Sequence, residues 1–217
     1  LALPADYRRV LEKYGREFFV VCNGGYISAG LDADDLMLII TDPDWVRRKL
    51  WAQARRDAAF GRLLAGGPGG GVLLGGGDMA GNSGPFYSPA HFRDLMLPPL
   101  AHLVSALKAA GVHYIFRSDG DLRPVADMIF GEAGCPGYGE VDRLAGMTAG
   151  YLRPRFPGLV LWGNVASQDL IEQPADKIRE EARACVEESR GSGYFHGPSN
   201  AILKGTPVGN VEAMFSV

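Results

Sequence analysis

The sequence is short of cysteine, of basic charge and of long apolar runs, and each shortage removes a class of protein. Its three cysteines, Cys22, Cys135 and Cys185, are odd in number and widely separated, so they make neither a disulfide framework nor a CxxC metal site. Such usage fits a reducing cytoplasm. Lys and Arg number 22 against 25 Asp and Glu, for a net charge of −3. That balance lacks the basic surplus a general nucleic-acid binder needs for phosphate contacts. No apolar run reaches the roughly 18 residues of a membrane span, and no basic stretch followed by an apolar one opens the chain. A dinucleotide fingerprint is missing too, because no GxGxxG opens a helix. The run GGPGGG at 66–71 lacks the lysine and hydroxyl of a Walker loop and precedes a strand, so a phosphate-loop role is set aside. What remains is a globular chain of 217 residues, 47% hydrophobic and rich in glycine, long enough for one substantial core.

Short apolar runs alternate with helical patterns. The runs are Phe18–Cys22, residues 72–77, His113–Phe116, a weak one around Cys135–Asp142, Leu159–Trp162 and Gly193–His196. Helical spacing covers Pro4–Tyr14, then Pro43–Ala65, which Gly66-Gly67-Pro68 ends. It resumes in a helix opened by Ser88-Pro89 and kinked by Pro98-Pro99, in Val125–Phe130, in Pro174–Ser189 and from Val211 onward. Strands and helices repeating in this way point to βα units and a parallel sheet, either an open doubly wound sheet or part of a (β/α)₈ barrel. The barrel is favoured because Asn23, Asp78, Asp119, Asp142, Asn164 and Asn200 sit just past successive strands, where barrel enzymes gather their sites. An open sheet concentrates its ligand at one switch point instead.

The central block GDMAGNSGPFYSP from Gly77, followed by RSDGDL from Arg117, carries a family resemblance. Gly24-Gly25-Tyr26 with Ser28-Ala29-Gly30, AGM from Ala145, LWGN from Leu161 and GTPVGNVEAM from Gly205 extend it over nearly the whole chain. On these residues the chain resembles the uroporphyrinogen decarboxylase superfamily, which includes the decarboxylase of haem synthesis and methyltransferases acting on corrinoid proteins. The resemblance implies a (β/α)₈, TIM-barrel-like domain over 1–217 with about six βα units, the first two being absent. It implies an enzyme, a methyltransferase working with a corrinoid protein, with porphyrinogen decarboxylation as the alternative. A non-catalytic barrel-derived binding domain is the third reading. Zinc-dependent relatives hold the metal with a histidine and a cysteine in the third-strand motif and a cysteine near the C-terminus. Here those places hold Arg117, Asp119 and Asn200, so zinc and any other tightly bound cofactor are not expected. A sheet lacking two strands leaves open edges, so a missing segment, a partner or a second copy of the chain is expected to cover them.

Asp78, Asp119 and Asp142 are the candidate catalytic residues, as carboxylates at strand ends that suit acid–base work, though Asp78 also suits a turn cap. Arg117 suits either a substrate carboxylate or an internal pair with Asp119. Tyr26, Tyr87, Asn164, His196 and Asn200 complete the candidate substrate-binding set. For the two tyrosines packing over the barrel mouth is the alternative, and for His196 a hydrogen-bonded structural role.

Overall fold

A computed structural model describes residues 3, 5–65, 71–190 and 193–217. Pro4 and the run 66–70, with the helix terminator Gly66-Gly67-Pro68 and most of the discarded phosphate loop, lie outside the described residues. In chain order the elements are α1 (Ala5–Tyr14), β1 (Cys22–Tyr26), α2 (Ala33–Thr41), α3 (Pro43–Arg62) and β2 (Gly71–Gly76). A minimal hairpin follows, β3 (Ala80–Gly81) and β4 (Gly84–Pro85), then α4 (Pro89–His91), α5 (Leu97–Ala109) and β5 (Val112–Arg117). Last come β6 (Gly137–Val141), α6 (Ala149–Arg155), β7 (Val160–Val165), α7 (Asp169–Glu172), α8 (Ala175–Glu188), β8 (Tyr194–Pro198) and α9 (Val208–Phe215). They gather into two compact units, one of Leu1–Asp78, Tyr87–Arg117 and Val125–Pro136, the other of Met79–Phe86, Ser118–Pro124 and Gly137–Val217.

In the first unit β1, β2 and β5 run parallel, with Leu73 of β2 opposite Cys22 on one side and Tyr114 on the other. Every residue of β2 is buried, as expected of a strand covered on both faces. Helices α3 and α5 start and pack by local rules. Asp42 caps α3 by accepting from the Trp45 N–H at 3.0 Å, with Pro43 at the first helical position. Ser88 does the same for α4 through the His91 N–H. Gly61 lets the two long helices touch, since a Cβ there would lie 2.0 Å from the Leu107 side chain.

Two expectations change in this unit. The first strand is CNGGY rather than Phe18–Cys22, and Phe18 and Phe19 are exposed. Glycine explains the shift: a Cβ on Gly25, at φ +77°, would come within 2.9 Å of both Tyr114 and Leu73, so only a bare backbone seats here. Asn23 consequently lies within β1 rather than past it. The irregularity in the Ser88-Pro89 helix precedes its prolines, as a π-turn over Phe92–Met96 in which the Leu97 N–H reaches back to the Phe92 carbonyl. Pro98 has no N–H to offer the carbonyl one turn earlier, and the wider turn absorbs that mismatch. Helices α2, α6 and α7 were not anticipated, and a second π-turn, Asp127–Glu132, stands where a regular helix was expected.

In the second unit β6, β7 and β8 are parallel, with Leu161 of β7 opposite Tyr138 and Tyr194. Its core joins Val165 and Leu170 to Ile178, Ala182 and Cys185 of α8 and to Ala213 and Met214 of α9. That is the apolar face the 3.6-residue spacing of Pro174–Ser189 foretells. Asn164 falls inside β7, not beyond it, and carries a left-handed φ of +88°. Among the described residues no helix is long and apolar enough to cross a membrane.

Candidate functional site

Because the three strands of the second unit are parallel, their carboxyl-terminal ends share one end of that sheet. Asp142 follows β6, Ala166-Ser167 follow β7 and Ser199-Asn200 follow β8. With Asn82 and Gln168 they line a cleft of about 140 Å³. The Asn200 amide donates to Asp119 Oδ2 at 3.0 Å, which ties the RSDGDL loop to the turn after β8. Asp142 faces the same loop, accepting from the Gly120 N–H at 3.1 Å and, through its other oxygen, from the Ala145 N–H at 3.2 Å. Gly120 is needed at its place: at φ +77° a Cβ would lie 2.6 Å from the Ala80 carbonyl oxygen. Asp119, Asp142 and Asn200, proposed from sequence, are therefore brought together.

Ser167 organises the far wall. Its buried hydroxyl accepts from the N–H groups of Asn200 and Ala201, each at 3.1 Å, and lies 3.3 Å from the Ser199 hydroxyl, which donates to Asn200 Oδ1 at 2.8 Å. Glu181 of α8 steadies the preceding residue by accepting from the Ala166 N–H at 2.8 Å. Burial raises the Glu181 pKa, the Ala166 bond opposes that rise, and Asp169 nearby adds to it. Sequence reasoning missed Ser167, Ser199 and Glu181. The two serines stand just past β7 and β8, the signal that picked out the aspartates, while Glu181 looks like any charge on an amphipathic helix.

Asn164 and His196 are spent inside the fold. The Asn164 amide nitrogen donates to the carbonyls of Val141 and Met147, and its oxygen accepts from the Ala149 N–H at 3.4 Å. Nothing of it is left for a substrate, so the substrate-binding expectation is corrected to a bracing role. His196 Nε2 donates to the Met214 carbonyl at 2.8 Å, and Nδ1 faces the Tyr194 hydroxyl, itself bonded to the Gly163 carbonyl at 2.7 Å. Its part is likewise to join β8 to α9.

The other candidates belong to the first unit. Asp78 is exposed just after β2, Tyr26 is exposed at the end of β1, and Arg117 ends β5, its carbonyl accepting from the Gly77 N–H. Tyr87 is buried, and its hydroxyl lies beside Ser28 and Ala29 without reaching hydrogen-bond geometry. Burial raises its pKa, and Asp35 and Asp78 nearby add to the rise. The Ser28 peptide beside it is clamped at both ends by the Gln53 amide, at 3.0 and 3.2 Å.

The family model for uroporphyrinogen decarboxylase (URO-D) matches residues 77–217, which takes in the whole RSDGDL, LWGN and GTPVGN series. The chain belongs to the uroporphyrinogen decarboxylase family. A comparison with curated proteins finds no match. Among solved structures, a methyltransferase from Methanosarcina mazei is similar at 21% identity and TM-score 0.77, over 98% of this URO-D-family chain and 66% of that one. The chain thus spans just under two thirds of that methyltransferase, and the likeness bears out the (β/α)₈-barrel-like α/β fold.

At the places expected to hold zinc in some family members this chain carries Arg117, Asp119 and Asn200. Among the described residues no three His, Cys, Asp or Glu side chains are grouped to hold a metal ion. The cysteines are buried, and burial pushes the Cys185 thiol up to about 12 and raises the Cys135 thiol too. A guanidinium at 117 and an amide at 200 are no substitute for an imidazole and a thiolate.

Proposed function

We propose that this URO-D-family chain is a methyltransferase that handles a small methyl-donating or methyl-accepting molecule, together with a corrinoid carried by a separate protein. The observation behind the reading is the Asp119–Asn200 pair, a carboxylate oriented by an amide at the strand ends of the second unit. Asp119 holds or returns the proton at the substrate heteroatom that exchanges the methyl group. Asn200 lines the cleft and links it to Asp119 through their hydrogen bond, and Asn82 and Gln168 of the lining supply neutral hydrogen bonds that orient the ligand. The cleft's roughly 140 Å³ suits a ligand of a few heavy atoms and is well below the range of about 300–1,000 Å³ typical of sites for larger molecules. That size favours a small methyl donor over a porphyrinogen. The corrinoid would supply or take up the methyl group. Likeness of fold to a methyltransferase supports the reaction class.

Spectroscopic titration tests this. Methylcobalamin and uroporphyrin are added separately, each with wild-type protein and with Asp119→Asn. The expected result is a change in the corrinoid spectrum that depends on Asp119, with no porphyrin binding. Porphyrin binding without a corrinoid response overturns the reading in favour of decarboxylation, and a folded protein inert to both overturns it in favour of a non-catalytic domain.

A further inference from the structure

The first unit contains a larger cleft, of about 380 Å³, at the amino-terminal edge of β5, the end of that strand opposite Arg117. Barrel enzymes use this end of their strands for packing rather than chemistry, and protein interiors ordinarily close such space. Here the backbone leaves it open. Gly111 and Gly134 border the cleft, both at φ +71°, and a Cβ on either would meet nothing within 4 Å.

The lining divides by chemistry. Val104, Val112 and the flank of Tyr114 are buried and give an apolar floor, while Lys108 and His113 stand exposed at the rim. Among the described residues no aspartate or glutamate lines the cleft. The carboxyl-terminal end of α5 would repel an anion if its carbonyls were bare. They are partly taken, since the Ala110 N–H bonds the carbonyls of Ala106 and Leu107 and the Gly111 N–H bonds that of Lys108.

We propose that this cleft binds a small organic anion, an aromatic or branched apolar body carrying one carboxylate or phosphate. The body rests on the Val104–Val112 floor, and the anionic head meets the Lys108 ammonium and an N–H of the His113 imidazole. The volume falls within the range of about 300–1,000 Å³ usual for small-molecule sites. Nothing in this assignment depends on the chemistry proposed for the second unit.

Amide NMR of the 23.3 kDa chain tests it, with naphthalene-2-carboxylate as probe and naphthalene-2-carboxamide as its neutral counterpart. The expected result is saturable shifts at the amides of Gly111, Val112 and Gly134. Lys108→Glu should weaken the carboxylate by about tenfold or more, and the carboxamide should bind about as weakly to wild type. Lys108→Met, which removes the charge without reversing it, should fall between. Lys108 is exposed, so unchanged melting of both variants verifies that the fold survives. Absence of saturable shifts at these amides, equal affinity in Lys108→Glu, or equal binding of the carboxamide overturns the proposal.

Discussion

The two units reach the same parallel-strand plan by different means. In the first, side chains are removed so that backbones can meet. Gly25 admits the Tyr114 ring, whose hydroxyl donates to the Gly25 carbonyl at 2.7 Å, and a Cβ on Gly75 would lie 2.0 Å from the Gly24 carbonyl oxygen. In the second, polar side chains are added to hold loops. Asn164, Asp142, Ser167 and Glu181 each accept from or donate to a backbone group in a neighbouring loop. Close approach saves polar groups but leaves few to act on a ligand. Bracing costs buried hydrogen-bonding groups, yet it ties the Asp119 loop to Asn200 after β8.

The sharpest way to break the contrast is Gly75→Ala. The clash is with backbone atoms, which cannot swing aside, so the expected loss is about 3 kcal/mol or more in urea denaturation. A loss below about 1 kcal/mol would show that the first unit is not built on close approach. Asn164→Ala comes next, stranding the buried carbonyls of Val141 and Met147 at a cost of about 2–4 kcal/mol. Asn164→Gly should cost about 1 kcal/mol less, because glycine relieves the left-handed backbone. Equal losses would mean that hydrogen bonding alone accounts for this residue.

Arg143→Met should cost about 1–2 kcal/mol by leaving the partly buried Glu188 without its two-pronged partner, held at 2.8 and 3.1 Å. The hydrogen bond from Arg143 is the main cause that lowers the Glu188 pKa. A carboxylate with a lowered folded-state pKa contributes stability above its unfolded value and loses it as pH falls through the folded one. Acid titration of stability should accordingly be steeper in wild type than in Arg143→Met. Glu181→Gln is the smallest effect and has the opposite sign. With its pKa raised by burial, Glu181 weakens the folded state as pH climbs through the interval above its unfolded value. Glutamine keeps an acceptor for the Ala166 N–H and removes that loss, so the variant should gain on wild type between mildly acidic and neutral pH. A stability curve parallel to wild type would show that Glu181 does not titrate differently on folding.

Much of this was legible beforehand. The Ser88-Pro89 start, the apolar face of α8 and the all-apolar centre of β2 follow from chemistry within a few residues, and the GDMAGNSGPFYSP and RSDGDL blocks pointed to the family. The placement of β1 was not legible, since Phe18–Cys22 has the better β propensity and Cys22–Tyr26 wins only through what its glycines allow Tyr114 and Leu73 to do. Asn164 read as a ligand group because nothing nearby in sequence shows that its partners lie at 141, 147 and 149.

By itself the sequence determined the alternation of strands and helices, the positions of the caps and the residue types at strand ends. These depend on periodicity, side-chain chemistry and composition, which are local. Only the tertiary structure decided which distant polar groups meet. Ser167 and Asn200 are 33 residues apart, and Asp119 and Asn200 are 81 apart. Contacts over such separations form when folded segments bring distant loops together, and no pattern within a few residues of either partner announces them.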